Sequence, residues 1–375
     1  MSIPYPVQRF GRFGLGMGLT PELVHRRFGF DLGERYHLDV AHRIRTTMEI
    51  DRAVFDAFGP IGLGFRDPFP RVSLAPYGHR FVAVMYGCTC SYDRGADPAV
   101  RPRGLSEEEI LALEPWTPER FEQSEPVRMV RSQAEYLARH GGGLAPADDE
   151  FNLHDRLASS LPNLGSVINN GLSIQGDQLL VDCAANPHLV ARLYENVTDL
   201  MLRCLEYFPR LDGRTPADLF VGNCSVAMIS PATYRALDEP FDRRLMDHAR
   251  RTGARFTIHQ DSHVNVHLEN YARFEYLHGV DFGQDTDFEK VARLMPGVTA
   301  NCILFPSWLQ SHSLDEIREE LLRLMAIGRS FPRFTFVLLE IDSQLAEGRL
   351  FEFHELFRRC AAQQTGPSLG RHGEY

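Results

Sequence analysis

Lysine is all but missing from this 375-residue chain: Lys290 is the only one, and the 40 Lys+Arg residues are otherwise all arginine. It stands in DFEKVARL, a run expected to form an exposed helix, so Schiff-base chemistry and pyridoxal-phosphate attachment are not expected. With no lysine after a glycine-rich loop, a Walker A phosphate loop is excluded as well. No apolar run approaches the roughly 20 residues needed to cross a bilayer, so no membrane association is expected. Positive charge is not in surplus: 50 acidic against 40 basic residues give -10. That is the wrong sign for a phosphate backbone, and no nucleic-acid partner is expected. The seven cysteines (Cys88, Cys90, Cys183, Cys204, Cys224, Cys302, Cys360) are odd in number and scattered. They suit reduced buried thiols better than a disulfide framework. The opening run MSIPYPVQRFGRFGLG lacks a basic-then-apolar leader, and a cytoplasmic location is the expectation.

What is present is a globular composition, 43% hydrophobic and 24% charged, enough for a large core. The chain reads as one structural domain in two stretches. Residues 1–150 form an irregular capping segment with the first elements of the fold, rich in Gly, Pro and aromatics. One strand is expected there, RFVAVMYG (80–87), with helices at 40–57, 106–113 and 124–139 and a polar loop at 141–150. In 151–375, helix-period segments alternate with short β-branched runs, the signature of a parallel sheet. Strands are expected at 218–222, 255–259, 279–282, 298–304 and 334–340, with helices at 187–207, 232–252, 265–276, 286–294, 313–328 and 349–362. No G-x-G-x-x-G follows any strand, which disfavours a dinucleotide-binding sheet. The expected fold is α/β, a (β/α)8 TIM barrel whose mouth is covered by the irregular N-terminal segment.

In such a barrel, chemistry gathers at the C-terminal ends of the strands. The expected ends carry Gly222-Asn223-Cys224-Ser225, His259-Gln260-Asp261-Ser262-His263, Asn301-Cys302, and Glu340-Ile341-Asp342. Several polar, metal-capable groups therefore converge. Each has a plainer reading. His259 could be a core histidine bonded to backbone, and Asp261 could cap a following helix. His263 and His267, four residues apart, read as surface histidines or as two imidazoles on one helix face. Glu340 after FVLL needs a metal or an arginine partner if buried. Cys224 and Cys302 read as small packing residues, and the Cys88–Cys90 pair as structural.

The run LFVGNCSVAMISPATYRALDEPFDRRLMDHARRTGARFTIHQDS (219–262) resembles the uroporphyrinogen decarboxylase superfamily, nearest its cobalamin- and thiol-methyltransferase branch. Met228-Ile229-Ser230-Pro231, Tyr234, Pro240 and Gly253 fall where that pattern wants them, and GERYHLDVAHR, FGPIGLGFRDP and GCTCSYD resemble its N-terminal part. The resemblance implies a TIM barrel with a deep pocket. In the methyltransferase branch, zinc is held by His-x-Cys on one strand and a Cys on the last. Here His259 keeps its place, Asp261 stands for the first Cys, and Glu340 (Asp342 if the register slips) stands for the second. The resemblance thus implies His259, Asp261 and Glu340 as ligands of a divalent ion, and oxygen ligands suit Fe, Mn or a catalytic Zn. Asn223 and His263 are the candidate catalytic residues. The metal-free decarboxylases carry an MRQAGRY-like run; GRFGLGMG keeps only Arg12, so a role in haem synthesis is not expected.

The expected function is a metal-dependent enzyme acting on a small polar metabolite, with methyl or alkyl transfer as the first reaction type. The alternatives are a decarboxylase or lyase with an Arg-lined pocket, and a non-catalytic binding partner that keeps the barrel. A corrinoid protein or a second copy of the chain are the partners the resemblance suggests.

Overall fold

The computed structural model describes residues 3–68, 74–140, 164–212 and 216–365. The strands in chain order are β1 (Ile3–Pro4), β2 (Gln8–Phe10), β3 (Phe13–Leu19), β4 (Thr89–Ser91), β5 (Ala99–Arg101), β6 (Asp218–Gly222), β7 (Arg255–Gln260), β8 (Leu277–Gly283), β9 (Thr299–Leu304) and β10 (Phe334–Ile341). Six of them run parallel in the order β3-β10-β9-β8-β7-β6. β1 and β2 pair antiparallel with β3, completing an eight-stranded sheet, and β4 and β5 form a separate hairpin. Helices such as Glu239–Thr252, Phe288–Leu294 and Leu314–Gly328 connect successive parallel strands, as parallel pairing requires. The five strands expected in the C-terminal stretch all form.

Two expectations about the N-terminal stretch are corrected. RFVAVMYG is not a strand: a 3-10 turn at Gly78–Arg80 leads into a helix at Phe81–Met85, with Phe81, Val82 and Ala83 fully buried. A short apolar run buried on all sides has no periodicity that separates helix from strand. Conversely, FGLGMGL in the supposedly irregular opening is β3, buried along its whole length and hydrogen-bonded in parallel to β10. Phe13, Leu15, Met17 and Leu19 alternate with Gly14, Gly16 and Gly18, a period of two. The bare face lets other chain approach: a Cβ on Gly14 would lie 2.8 Å from Val7 Cγ1 and 3.1 Å from Thr335 Cγ2.

The result is a TIM-barrel-like α/β fold with six parallel strands rather than the eight expected, and among the described residues β6 does not pair with β1 or β3 to close a barrel. Past β6, Gly165 offers its carbonyl to the Gly222 N–H (3.4 Å) without forming a strand. Helices at Val167–Gln175 and Gln178–Ala185 were not expected. The helix expected over 232–252 is two, Pro231–Leu237 and Glu239–Thr252, parted at Asp238 before Pro240. The expected loop at 141–150 lies outside the described residues. No helix among the described residues is long and apolar enough to cross a membrane.

Candidate active site

Alternation along β6 buries Leu219 and Val221 and leaves Phe220 42% exposed, in the wall of a pocket at the strand ends. The cavity, of about 650 Å³, is lined by Cys224, Ser225, His259, Asp261, Asp281 and Glu340. His79, Arg80, Asn169 and Ser173 line it as well. Such a volume suits a small-molecule ligand. Asn169 ties the helix Val167–Gln175 to the end of β6: its amide donates to Gly222 O (2.9 Å) and its Oδ1 accepts from the Ser225 N–H (3.1 Å).

The heart of the pocket is His259, at the end of β7. Neighbouring β8 sets Asp281 directly beside it in register, and Asp281 Oδ2 lies 2.7 Å from Nδ1. A carboxylate there accepts the Nδ1 proton and leaves Nε2 to face the other partners. Nε2 lies 3.6 Å from Asp261 Oδ2, and one ligand atom each of Cys224, His259 and Asp261 fall within 4.8 Å of one another. Phe220 covers the imidazole, with ring centroids 5.2 Å apart. Burial alone would discharge the ring, but hydrogen bonding to Asp261 and Asp281 outweighs it and pushes the His259 pKa up to about 12. The His259 ring in turn holds Asp261 down to about 2, against its burial. A sulfur, a nitrogen and an oxygen are thus drawn together around one charge. Ligands about 2.0–2.3 Å from a single ion stand roughly 3–4 Å apart, so these three, within 4.8 Å of one another, are a set that could hold a divalent cation.

The structure places the expected site residues unequally. His259 and Asp261 are brought together. Glu340 lines the same pocket but stands outside that close trio. Asp342 lies outside the pocket and accepts from the backbone N–H groups of Gln344 and Leu345 (3.0 and 3.3 Å), a turn-forming use. Cys224, expected to be packing, belongs to the cluster, while Cys302 is fully buried in β9. Asn223 is redirected: it is 1% exposed and donates to Asp242 Oδ2 (2.8 Å), which also accepts from Tyr234 (2.8 Å). Its backbone N–H reaches His259 O (2.7 Å), so it fastens β6 to β7 instead of facing a ligand. His263 is exposed and does not line the pocket; His267 is buried in a 3-10 turn against Tyr234, so the pair shares no helix face. Asp281, Arg80 and Cys224 are the residues that sequence reasoning missed. Asp281 had a signal, an acid inside the apolar strand GVDF.

Glu340 adopts a left-handed backbone (φ 59°), where the β10 register with β3 shifts between Leu338 and Ile341. Such a conformation costs a non-glycine residue roughly 1–2 kcal/mol and gathers at functional positions. Glu340→Gly should therefore leave the protein more stable than Glu340→Ala by about 1 kcal/mol, as read from urea unfolding. Equal stabilities would remove the case for stored strain.

His79, half-buried beside Arg80, is depressed by burial and by that neighbouring charge to about 4. The unfolded chain binds this proton near 6.5, so the contribution to stability is whole above that pH and drains away as pH falls toward 4. The loss is bounded at about 3 kcal/mol and reduced by the ring's partial solvent contact. Urea midpoints at neutral and mildly acidic pH should draw together in His79→Asn. An undiminished gap would assign the acid lability to other groups.

The uroporphyrinogen decarboxylase (URO-D) family profile matches residues 75–338. Comparison with curated proteins gives no match. Among solved structures, a methyltransferase from Methanosarcina mazei superposes with a TM-score of 0.58 over 92% of either chain, at 10% sequence identity, a likeness of fold. The family profile covers well over half the chain, and the protein belongs to the uroporphyrinogen decarboxylase family.

Proposed function

We propose that this chain is a metal-dependent enzyme that transfers a methyl or alkyl group to or from a small polar metabolite. The observation that carries the reading is His259 held between Asp281 on Nδ1 and the Cys224–Asp261 pair on Nε2. A carboxylate behind a ligating imidazole fixes its tautomer and raises its basicity. Cys224 and Asp261 would share the ion with His259, and Glu340 would close the site from β10. A bound divalent ion supplies Lewis acidity and lowers the pKa of the group it holds. The protein contributes positioning: Asn223 and Asn169 fix the β6 end that carries Cys224, Phe220 shields the imidazole, and Asp281 keeps it oriented. One thiolate among the ligands moves the preference toward zinc relative to the all-oxygen-and-nitrogen set of His259, Asp261 and Glu340. In this reading a corrinoid protein is the candidate methyl donor or acceptor.

The lyase or decarboxylase reading keeps one observation in its favour, an arginine, Arg80, in the pocket wall. The test is direct. Protein reconstituted with Zn, Fe(II) or Mn should retain about one ion per chain after desalting and should demethylate methylcobalamin in the presence of small thiols, followed by absorbance. Stoichiometric metal without methyl transfer would favour the lyase. Absence of metal after reconstitution would sink the metalloenzyme reading.

A further inference from the structure

Cys224, His259 and Asp261 come from two stretches of chain, and each stretch is tied into the core by a residue beside its pocket-lining side chains. On β7, Phe256, Ile258 and Gln260 are buried on the face turned away from His259, as a period of two requires. Gln260 stands between His259 and Asp261, and its Oε1 accepts from the hydroxyl of Tyr271 (2.5 Å), the last residue of the short helix Leu268–Tyr271. At the end of β6, Asn223 immediately precedes Cys224. Its amide donates to Asp242 Oδ2 (2.8 Å), which also accepts from Tyr234 (2.8 Å). Its N–H donates to His259 O (2.7 Å). The two anchors meet: the Tyr234 and Tyr271 rings lie edge to face with centroids 5.6 Å apart, and Tyr271 stacks on Phe282 of β8 (5.9 Å).

Asp242, Gln260, Tyr234 and Tyr271 are all fully buried. Asp242 Oδ1 has no partner, and the two donors on Oδ2 are neutral. Burial pushes the Asp242 pKa up to about 6, against the opposing pull of those two bonds, which leaves it charged at neutral pH. A buried carboxylate without a counter-charge is expensive, and apolar side chains of the same volume would pack the sheet as well or better. What the carboxylate adds is a strong, directional grip on the Asn223 amide, and so on the backbone that presents Cys224.

We infer that Asp242 and Tyr271 are positioning residues of the site. Through Asn223 and Gln260 they set the distance of Cys224 from His259 and Asp261, and with it how tightly the trio closes on an ion. The ion itself comes from the proposed function; the placement of the three side chains does not need it.

The experiment uses the full chain, stripped with a chelator and then titrated with Co(II). In the stripped protein, nitrogen NMR of labelled histidines follows the His259 ring, its signals assigned by their loss in His259→Asn. In the loaded protein, the readouts are Co(II) affinity and the sulfur-to-cobalt charge-transfer band expected from Cys224. Asp242→Asn and Tyr271→Phe should each shift the His259 signals, weaken Co(II) binding about 10–100-fold and dim the band. Leu321→Ala, in the core helix Leu314–Gly328 and outside the pocket lining, should lower stability and change none of the three. Tyr234→Phe, which keeps its ring and loses its bond to Asp242, carries the test should Asp242→Asn fail to fold. Unmoved His259 signals and unchanged affinity in the folded variants, or equal losses in Leu321→Ala, overturn the inference. Shifted His259 signals in a protein that takes up no Co(II) would uphold it while the metalloenzyme reading falls.

Discussion

His259→Ala protein, reconstituted and desalted, is expected to retain no stoichiometric divalent metal, where the wild type should hold about one ion per chain. The imidazole is the shared neighbour in the cluster, and its removal leaves Cys224 and Asp261 with only the more distant Glu340, too few close ligands for a stable site. Cys224→Ala and Asp261→Ala should each weaken binding severely. Asp281→Asn should cost about 10–100-fold in affinity with the ligand set intact, because the amide no longer fixes the imidazole as a carboxylate does. Glu340→Ala should cost less than Asp261→Ala, since Glu340 shares the pocket without belonging to the close trio. Asp342→Ala and Cys302→Ala are the controls. Asp342 caps a turn and Cys302 is packed in β9, so metal content should not move, and Cys302→Ala should cost only on the order of 1–2 kcal/mol of stability. Elemental analysis of the variants, with circular dichroism to confirm folding, decides the matter. If Cys224→Ala binds metal like the wild type and Glu340→Ala does not, the ion is held by His259, Asp261 and Glu340 instead.

How far the sequence carried the argument depended on which physical signal each residue leaves. The alternation of helix-period and β-branched segments in 151–375 was legible because the strands of a covered parallel sheet are short and apolar. The turn to carboxylates at 261 and 340 was legible only against the resemblance, since an isolated acid at a strand end has too many ordinary uses. Asp281 and Cys224 were not assigned because their roles arise from register. β7 and β8 bring residues 22 positions apart side by side, and nothing local records which strand neighbours which. Asn223 failed in the opposite way. A polar residue at a strand end looked ligand-facing, yet buried Asp242, which also accepts from Tyr234, claimed its side-chain amide, as a buried carboxylate needs donors. β3 was hidden by its glycines, which read as loop until the alternate apolar face is counted. Arg80 was hidden by the misreading of its own segment, since a strand over 80–87 would have started at it with no pocket in view.

Exchanging one ligand tests the chemistry of the set. Asp261→Cys would put a second thiolate beside His259, two residues along the same chain stretch and within reach of Cys224. Thiolates select Zn(II) over Fe(II) and Mn(II), which are served better by carboxylate oxygen. The variant should therefore bind zinc more tightly than the wild type in competition with a chromophoric chelator, and should lose what affinity the wild type has for Mn(II). Loss of the carboxylate also removes one of the two anions that charge His259, so less proton displacement opposes metal entry near neutral pH. Adding Glu340→Cys should extend the zinc gain only if the β10 end can swing its side chain to the trio. The left-handed backbone at that position makes the gain small for Cys and larger once strain is relieved elsewhere. Zinc affinity unchanged in Asp261→Cys, at wild-type folding, would mean that position 261 does not touch the ion. The carboxylate would then be an ion-pair partner of a permanently protonated His259, and the pocket's chemistry would be that of an imidazolium acid rather than of a metal.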